Sequence, residues 1–108
     1  MKRIRLKNTN LRVSPICIGT VNFGTSVDSE TAKHQLDRFF EPGGNFIDTA
    51  HIYGDWVPGQ RGRSERIIGE WVNGNGVRKD VVISTKGGHP DLSDMDISKI
   101  TPERIAKD

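Results

Sequence analysis

Cysteine is almost missing from this sequence. Cys17 stands alone among 108 residues, so no disulfide can form within the chain, and a reducing, cytoplasmic setting is expected. It lies in the apolar run Pro15-Ile16-Cys17-Ile18-Gly19, where a small buried core residue is the expected role. An excess of charge of either sign is missing too. Sixteen basic residues stand against 14 acidic ones, a net charge of +2, and so weak a field marks neither nucleic acid nor an anionic membrane as a partner. There is no apolar run of transmembrane length, and the first residues lack the basic, apolar, small-residue order of a secretory signal. The basic residues that do cluster, Lys2, Arg3, Arg5, Lys7 and Arg12, fall between apolar ones with no aromatic side chain among them to stack on a base. They read as the wet face of a hairpin.

What is present is an alternation of strand and helix. Ile4 and Leu6, then Leu11 and Val13, flank the turn residues Asn8-Thr9-Asn10, which predicts a β-hairpin. Ile16 to Thr20 is a continuous apolar run, the pattern of a parallel strand covered on both faces. After the loop 21–27, Asp28 is placed to cap a helix whose apolar face is Ala32, Leu36, Phe39 and Phe40. Pro42-Gly43-Gly44 stops it. A second strand opens at Asn45, and the loop 55–63 leads to a second helix with Ser64 as the expected N-cap and Ile67, Ile68, Trp71 and Val72 as its stripe. Asn73-Gly74-Asn75-Gly76 ends it, a third strand spans 81–85, and Thr101-Pro102-Glu103 starts a third helix after a polar loop.

Three strand-helix units of about thirty residues predict parallel pairing with right-handed crossovers. That period suits the opening part of a (β/α)8 TIM barrel of ~250 residues. The expected class is therefore α/β, with residues 1–14 forming a hairpin and 15–108 forming the first three βα units. A helix ending about one turn after its cap gains few hydrogen bonds, so the chain is expected to be an N-terminal portion of a longer protein.

Two strand ends carry the chemistry. Asn45-Phe46-Ile47-Asp48-Thr49-Ala50-His51-Ile52-Tyr53-Gly54 delivers a carboxylate, a hydroxyl and a phenol as its strand gives out, and Val81-Val82-Ile83-Ser84-Thr85-Lys86-Gly87-Gly88 delivers a lysine before two glycines. These stretches, with Leu11 to Thr20 and Ser64-Glu65-Arg66-Ile67-Ile68-Gly69-Glu70-Trp71, make the chain resemble the aldo-keto reductases over essentially its whole length. The resemblance implies a (β/α)8 barrel whose floor is closed by the N-terminal hairpin of residues 1–14, and which reduces small-molecule aldehydes or ketones to alcohols with NADPH. It also implies that Asp48, Tyr53 and Lys86 match three of four catalytic positions. The fourth, a histidine at the end of the next strand, is expected beyond Asp108, and none of His34, His51 and His89 stands in its place. Asp48 and Thr20 are expected at the cofactor, and Asn22, Phe23 and Trp56 at the substrate mouth. Thr20 reads equally as an ordinary strand-end hydroxyl, and Trp56 could instead pin its own loop.

The residue types suit the reaction. Hydride addition to a carbonyl builds negative charge on oxygen, which calls for an acid aimed at that oxygen and a positive field behind it. A free phenol titrates near ~10, and a neighbouring ammonium stabilises its phenolate. Tyr53 is thus the expected acid, Lys86 the charge, and Asp48 the group that holds Lys86. Two other readings remain open: a cofactor-binding, redox-sensing barrel subunit without turnover, or an inactive associating fragment if 108 residues are the whole chain.

Overall fold

A computed structural model describes all of residues 1–108. The hairpin pairs β1 (Ile4–Arg5) with β2 (Arg12–Val13) antiparallel, around a turn in which Asn8 adopts a left-handed φ of 62°. Three further strands, β3 (Cys17–Gly19), β4 (Phe46–Asp48) and β5 (Val82–Ser84), form a separate parallel sheet in the order β3-β4-β5. Gly19, Asp48 and Ser84 stand in one register, so three strand ends open at one level.

The connections are helical. α1 (Ser29–Phe40) begins where the Asp28 carboxylate accepts from the Thr31 N–H at 2.8 Å, filling one of the unpaired donors of a first helical turn. α2 (Arg63–Asn75) ends at Gly76, which takes the left-handed C-cap conformation. α3 (Pro102–Lys107) is capped by Thr101, whose hydroxyl accepts from the Arg104 N–H.

One core lies between the helices and one face of the sheet. Ile47 from β4 packs with Ala32 and Leu36 of α1, Ile67, Ile68, Trp71 and Val72 of α2, Phe23 and Val81, with Ile18 and Ile83 on its margin. Phe40 meets Trp71 edge-on at 5.7 Å between ring centroids, and the indole N–H donates to Asp37 at 2.7 Å, fixing α1 against α2. Because successive strand residues point to opposite faces, Cys17, Gly19, Phe46, Asp48, Val82 and Ser84 share the other face.

That second face corrects two expectations. The Ile16 to Thr20 run is covered on one face and not on both: Cys17 and Gly19 are exposed while Ile18 packs against the core, so Cys17 is not the buried core residue expected. The apolar run reports what β3 is made of, whereas no element of the structure packs over this face. The sheet is open, with β3 and β5 as edges. It forms an α/β arc and not a closed barrel.

The hairpin is tied to β4 by a buried amide. Asn45 accepts the Ser14 N–H at 2.6 Å through its side-chain oxygen, donates to the Arg12 carbonyl at 3.0 Å, and gives its own N–H to the Ser14 hydroxyl. The strand that delivers Asp48 is thereby anchored at its start.

Candidate active site

β4 ends at Asp48 and β5 at Ser84, but the ladder continues past both: Thr49 N–H donates to the Ser84 carbonyl at 2.8 Å, and His51 N–H to the Lys86 carbonyl at 3.0 Å. These bonds hold Lys86 beside the turn 49–53. Its ammonium donates to the Thr49 carbonyl at 2.7 Å and to an Asp48 carboxylate oxygen at 2.8 Å, and reaches the Tyr53 hydroxyl at 3.4 Å. The same nitrogen lies 5.0 Å from the centre of the Tyr53 ring. Carboxylate, ammonium and phenol thus meet in one cluster at the strand ends.

Lys86 and Asp48 are about half and one third exposed, so the cluster faces the open side of the sheet. Burial pulls the Lys86 ammonium toward losing its proton, but its hydrogen bonds to Asp48 and Tyr53 and their charges outweigh this and hold it above the ordinary lysine value. The cation behind the phenol therefore persists into alkaline solution. On the same face the Cys17 thiol is crowded enough that desolvation, followed by the charge of Asp48, raises it above its usual value despite Lys86. It stays a thiol at neutral pH.

A mostly apolar cavity of about 440 Å³ adjoins Tyr53 and Lys86, walled by Trp56, Pro90, Leu92 and Ile100. Trp56 and Tyr53 thus line one cavity. Asn22 is exposed, with its carbonyl taken by the Thr25 and Val27 N–H groups. Phe23 is 2% exposed and belongs to the hydrophobic core, so its ring does not face the mouth. Thr20 is also buried: its hydroxyl bonds the Asp48 carbonyl at 2.9 Å and the Ser64 hydroxyl at 2.7 Å. Thr20 turns inward because the ladder continues through its N–H, which donates to the Asp48 carbonyl at 3.1 Å, and it shares the face of Ile18. Phe23 turns inward because the loop after it packs its ring into the core.

None of the three histidines hydrogen-bonds the phenol, although His89 lines the cavity that Tyr53 and Lys86 line. His89 Nδ1 contacts the Pro90 carbonyl at 2.6 Å, His51 Nδ1 lies 3.6 Å from the Glu65 carboxylate, and His34 is exposed on α1. His51 and His89 share a polar cavity of about 470 Å³ with Arg61 and Arg104.

Two features escaped the sequence reading. Ser64 is not the N-cap of α2, because Gly62 occupies that position in a left-handed conformation and the helix begins at Arg63. One place further in, Ser64 is completely buried, with its hydroxyl 2.7 Å from that of Thr20 and 2.8 Å from that of Thr49. The glycine two residues before the serine is the signal that could have revealed this, since glycine readily supplies a left-handed cap. The second feature is Arg63, whose guanidinium binds the carbonyls of Gly54, Val57 and Pro58. Nothing local in the sequence marks it.

Comparison with known proteins gives one answer throughout. The model of the aldo/keto reductase family matches residues 15–108. A norsolorinic acid reductase of Emericella nidulans is 47% identical over 83 residues, covering 70% of this chain and 20% of that protein. An aryl-alcohol dehydrogenase of Pestalotiopsis microspora is 39% identical over 101 residues, covering 82% and 25%. Among solved structures, an aldo-keto reductase from Bacillus halodurans in its holo form is 26% identical with a TM-score of 0.70, covering 91% of this chain and 30% of that one. The chain spans about a fifth to a quarter of the length of these two curated relatives.

Proposed function

The chain belongs to the aldo/keto reductase family, and we propose that its protein reduces small-molecule aldehydes or ketones to alcohols with NADPH, Tyr53 serving as the proton donor. The observation that carries this reading is the convergence of Asp48 and Tyr53 on the Lys86 ammonium at the ends of β4 and β5. The apolar wall of Trp56, Leu92 and Ile100 favours a carbonyl compound with a flat apolar body. The relatives named for norsolorinic acid and aryl alcohols favour the same class.

Some of the residues present fit a nicotinamide beside Asp48. One Asp48 carboxylate oxygen is taken by Lys86 while the other has no protein partner. Opposite it in register, a Cβ added to Gly19 would meet nothing within 4 Å. A planar ring has both an acceptor and room there, whereas Thr20, already bonded to Asp48 and Ser64, has no free hydroxyl to offer. NADPH, when bound, supplies the hydride.

The chain's own residues manage the proton. With the substrate body in the apolar cavity, its carbonyl oxygen is directed to the Tyr53 hydroxyl, which gives up its proton as charge develops on that oxygen. The phenolate left behind is met by the Lys86 ammonium, and Asp48 and the Thr49 carbonyl keep that ammonium from swinging into solvent. Solvent then restores the phenol proton.

The test is Tyr53→Phe in the full-length protein. Carbonyl reduction should fall by at least about a thousandfold, the scale of a general acid, while NADPH binding by fluorescence titration stays near the parent value. Undiminished turnover would remove Tyr53 from the mechanism. A parent protein that binds NADPH and turns over no carbonyl compound would favour a cofactor-holding subunit instead.

A further inference from the structure

We infer that Arg63 is a specificity-determining residue: its guanidinium clamps the loop 54–59 and so sets where Trp56 stands in the substrate cavity. This rests on the reductase reading of that cavity and extends it to a residue outside the pocket wall.

The Arg63 side chain makes three hydrogen bonds, all to carbonyls of one loop: Nη1 to Gly54 at 2.7 Å and Val57 at 2.8 Å, and Nη2 to Pro58 at 2.9 Å. These acceptors bracket Trp56 on both sides. No carboxylate pairs with the guanidinium, so its charge is spent on backbone dipoles, which it orders by its fixed planar fork. Lysine would present one ammonium nitrogen where arginine presents a planar fork of several N–H groups.

The stem is held as firmly as the head. A Cβ on Gly24 would stand 2.6 Å from the Arg63 Cβ, and one on Gly54 2.9 Å from it; both glycines have positive φ, at 83° and 97°. Two backbone segments thus approach the arginine stem as only glycine allows. The loop is further closed by Asp55, whose carboxylate accepts the Gly62 N–H at 2.7 Å. Trp56 itself is 46% exposed and is not buried in the core. Its position follows from the backbone on either side, which Arg63 holds. A fixed indole in the cavity that Tyr53 also lines gives large flat substrates a wall to pack on, while a small aldehyde reaching only the phenol scarcely touches it.

The experiment compares the full-length parent with Arg63→Met, which keeps the stem and removes every donor, and with Arg63→Lys. A bulky aryl ketone and a short aliphatic aldehyde serve as substrates. Arg63→Met should raise KM for the aryl ketone about tenfold and leave kcat for the short aldehyde within about twofold. Arg63→Lys should shift in the same direction by less. Equal losses on both substrates, or unchanged discrimination between them, would overturn the inference.

Two readouts need no turnover. Acrylamide quenching, taken as the difference from the same protein carrying Trp56→Phe, isolates Trp56 from Trp71, which is 4% exposed, and from every other tryptophan of the full-length protein. It should increase in Arg63→Met, and trypsin should cut faster after exposed Arg61. A loop as protected as the parent's overturns the clamp whether or not the protein reduces carbonyls. Should Arg63→Met fail to fold, Arg63→Lys carries both readouts with the same expected direction and the same overturning result.

Discussion

Lys86 lies between two partners that ask different things of it. Asp48 holds its position by a charged hydrogen bond at 2.8 Å, while the Tyr53 hydroxyl, at 3.4 Å, is a looser contact. The sign of the pH effect follows. Burial lowers the proton affinity of Lys86, and Asp48 and Tyr53 raise it by more. Removing the carboxylate charge in Asp48→Asn leaves the downward pull in place and takes away part of the upward one, so Lys86 should lose its proton at lower pH. The alkaline limb of the kcat/KM profile should move to lower pH in this variant, measured on a short aldehyde with saturating NADPH. A limb that stays in place would mean that Lys86 does not govern it. The meeting of Asp48, Tyr53 and Lys86 was legible because Asp48 and Lys86 lie at or just past strand ends, while Tyr53, in the turn beyond β4, was marked by the family resemblance of residues 45–54. Phe23 was less so, since a residue in the loop past a strand can face the mouth or the helices and only the path of that loop decides, whereas Thr20 shares the face of Ile18 and so turns inward.

At the scale of elements, the start of α2 locks two strands together. Thr20 gives its hydroxyl proton to the Asp48 carbonyl. The single Ser64 proton then lies between the Thr20 hydroxyl, 2.7 Å away, and the Thr20 carbonyl, 3.1 Å away, and Thr49 is the donor in its 2.8 Å contact with Ser64. The chain of hydroxyls runs one way, from Thr49 through Ser64 and Thr20 to the backbone of Asp48, and Thr49 also offers its carbonyl to Lys86. Ser64→Ala breaks it at the centre and leaves the buried Thr49 hydroxyl without an acceptor. The expected loss is about 1–3 kcal/mol of unfolding free energy, read from urea midpoints with the urea dependence unchanged. A midpoint equal to the parent's would show that the hydroxyls bear no load. The caps at Asp28 and Thr101 were readable because a cap is a bond between near neighbours. Ser64 was misread as a third cap because its true partners lie 15 and 44 residues away, beyond the reach of any local pattern.

At the scale of the molecule, residues 1–108 form two layers within a slab 42 × 35 × 20 Å, with helices over one face of the sheet and none over the other. The strand-helix alternation made this layering readable in advance. Periodicity within β3 does not say whether another strand lies beyond it, so the open face was not. Leu11, Ile16 and Val21 are each between 44% and 60% exposed, and both edge strands carry unpaired backbone groups. Such edges recruit further strands, and exposed apolar patches recruit cover. A polypeptide of these 108 residues expressed alone should therefore self-associate, with sedimentation coefficients that rise with concentration. The association should be noncovalent: Cys17 sits on the open face, but its thiol is held above the usual value and is a poor source of the thiolate that disulfide chemistry needs. Adding reductant should leave the sedimentation profile unchanged, whereas Ile16→Lys, which puts a charge onto the open region beside β3, should shift it toward monomer. A concentration-independent monomer with a cooperative thermal transition would mean that one covered face suffices for these short strands, and that their edges are too twisted or too brief to pair.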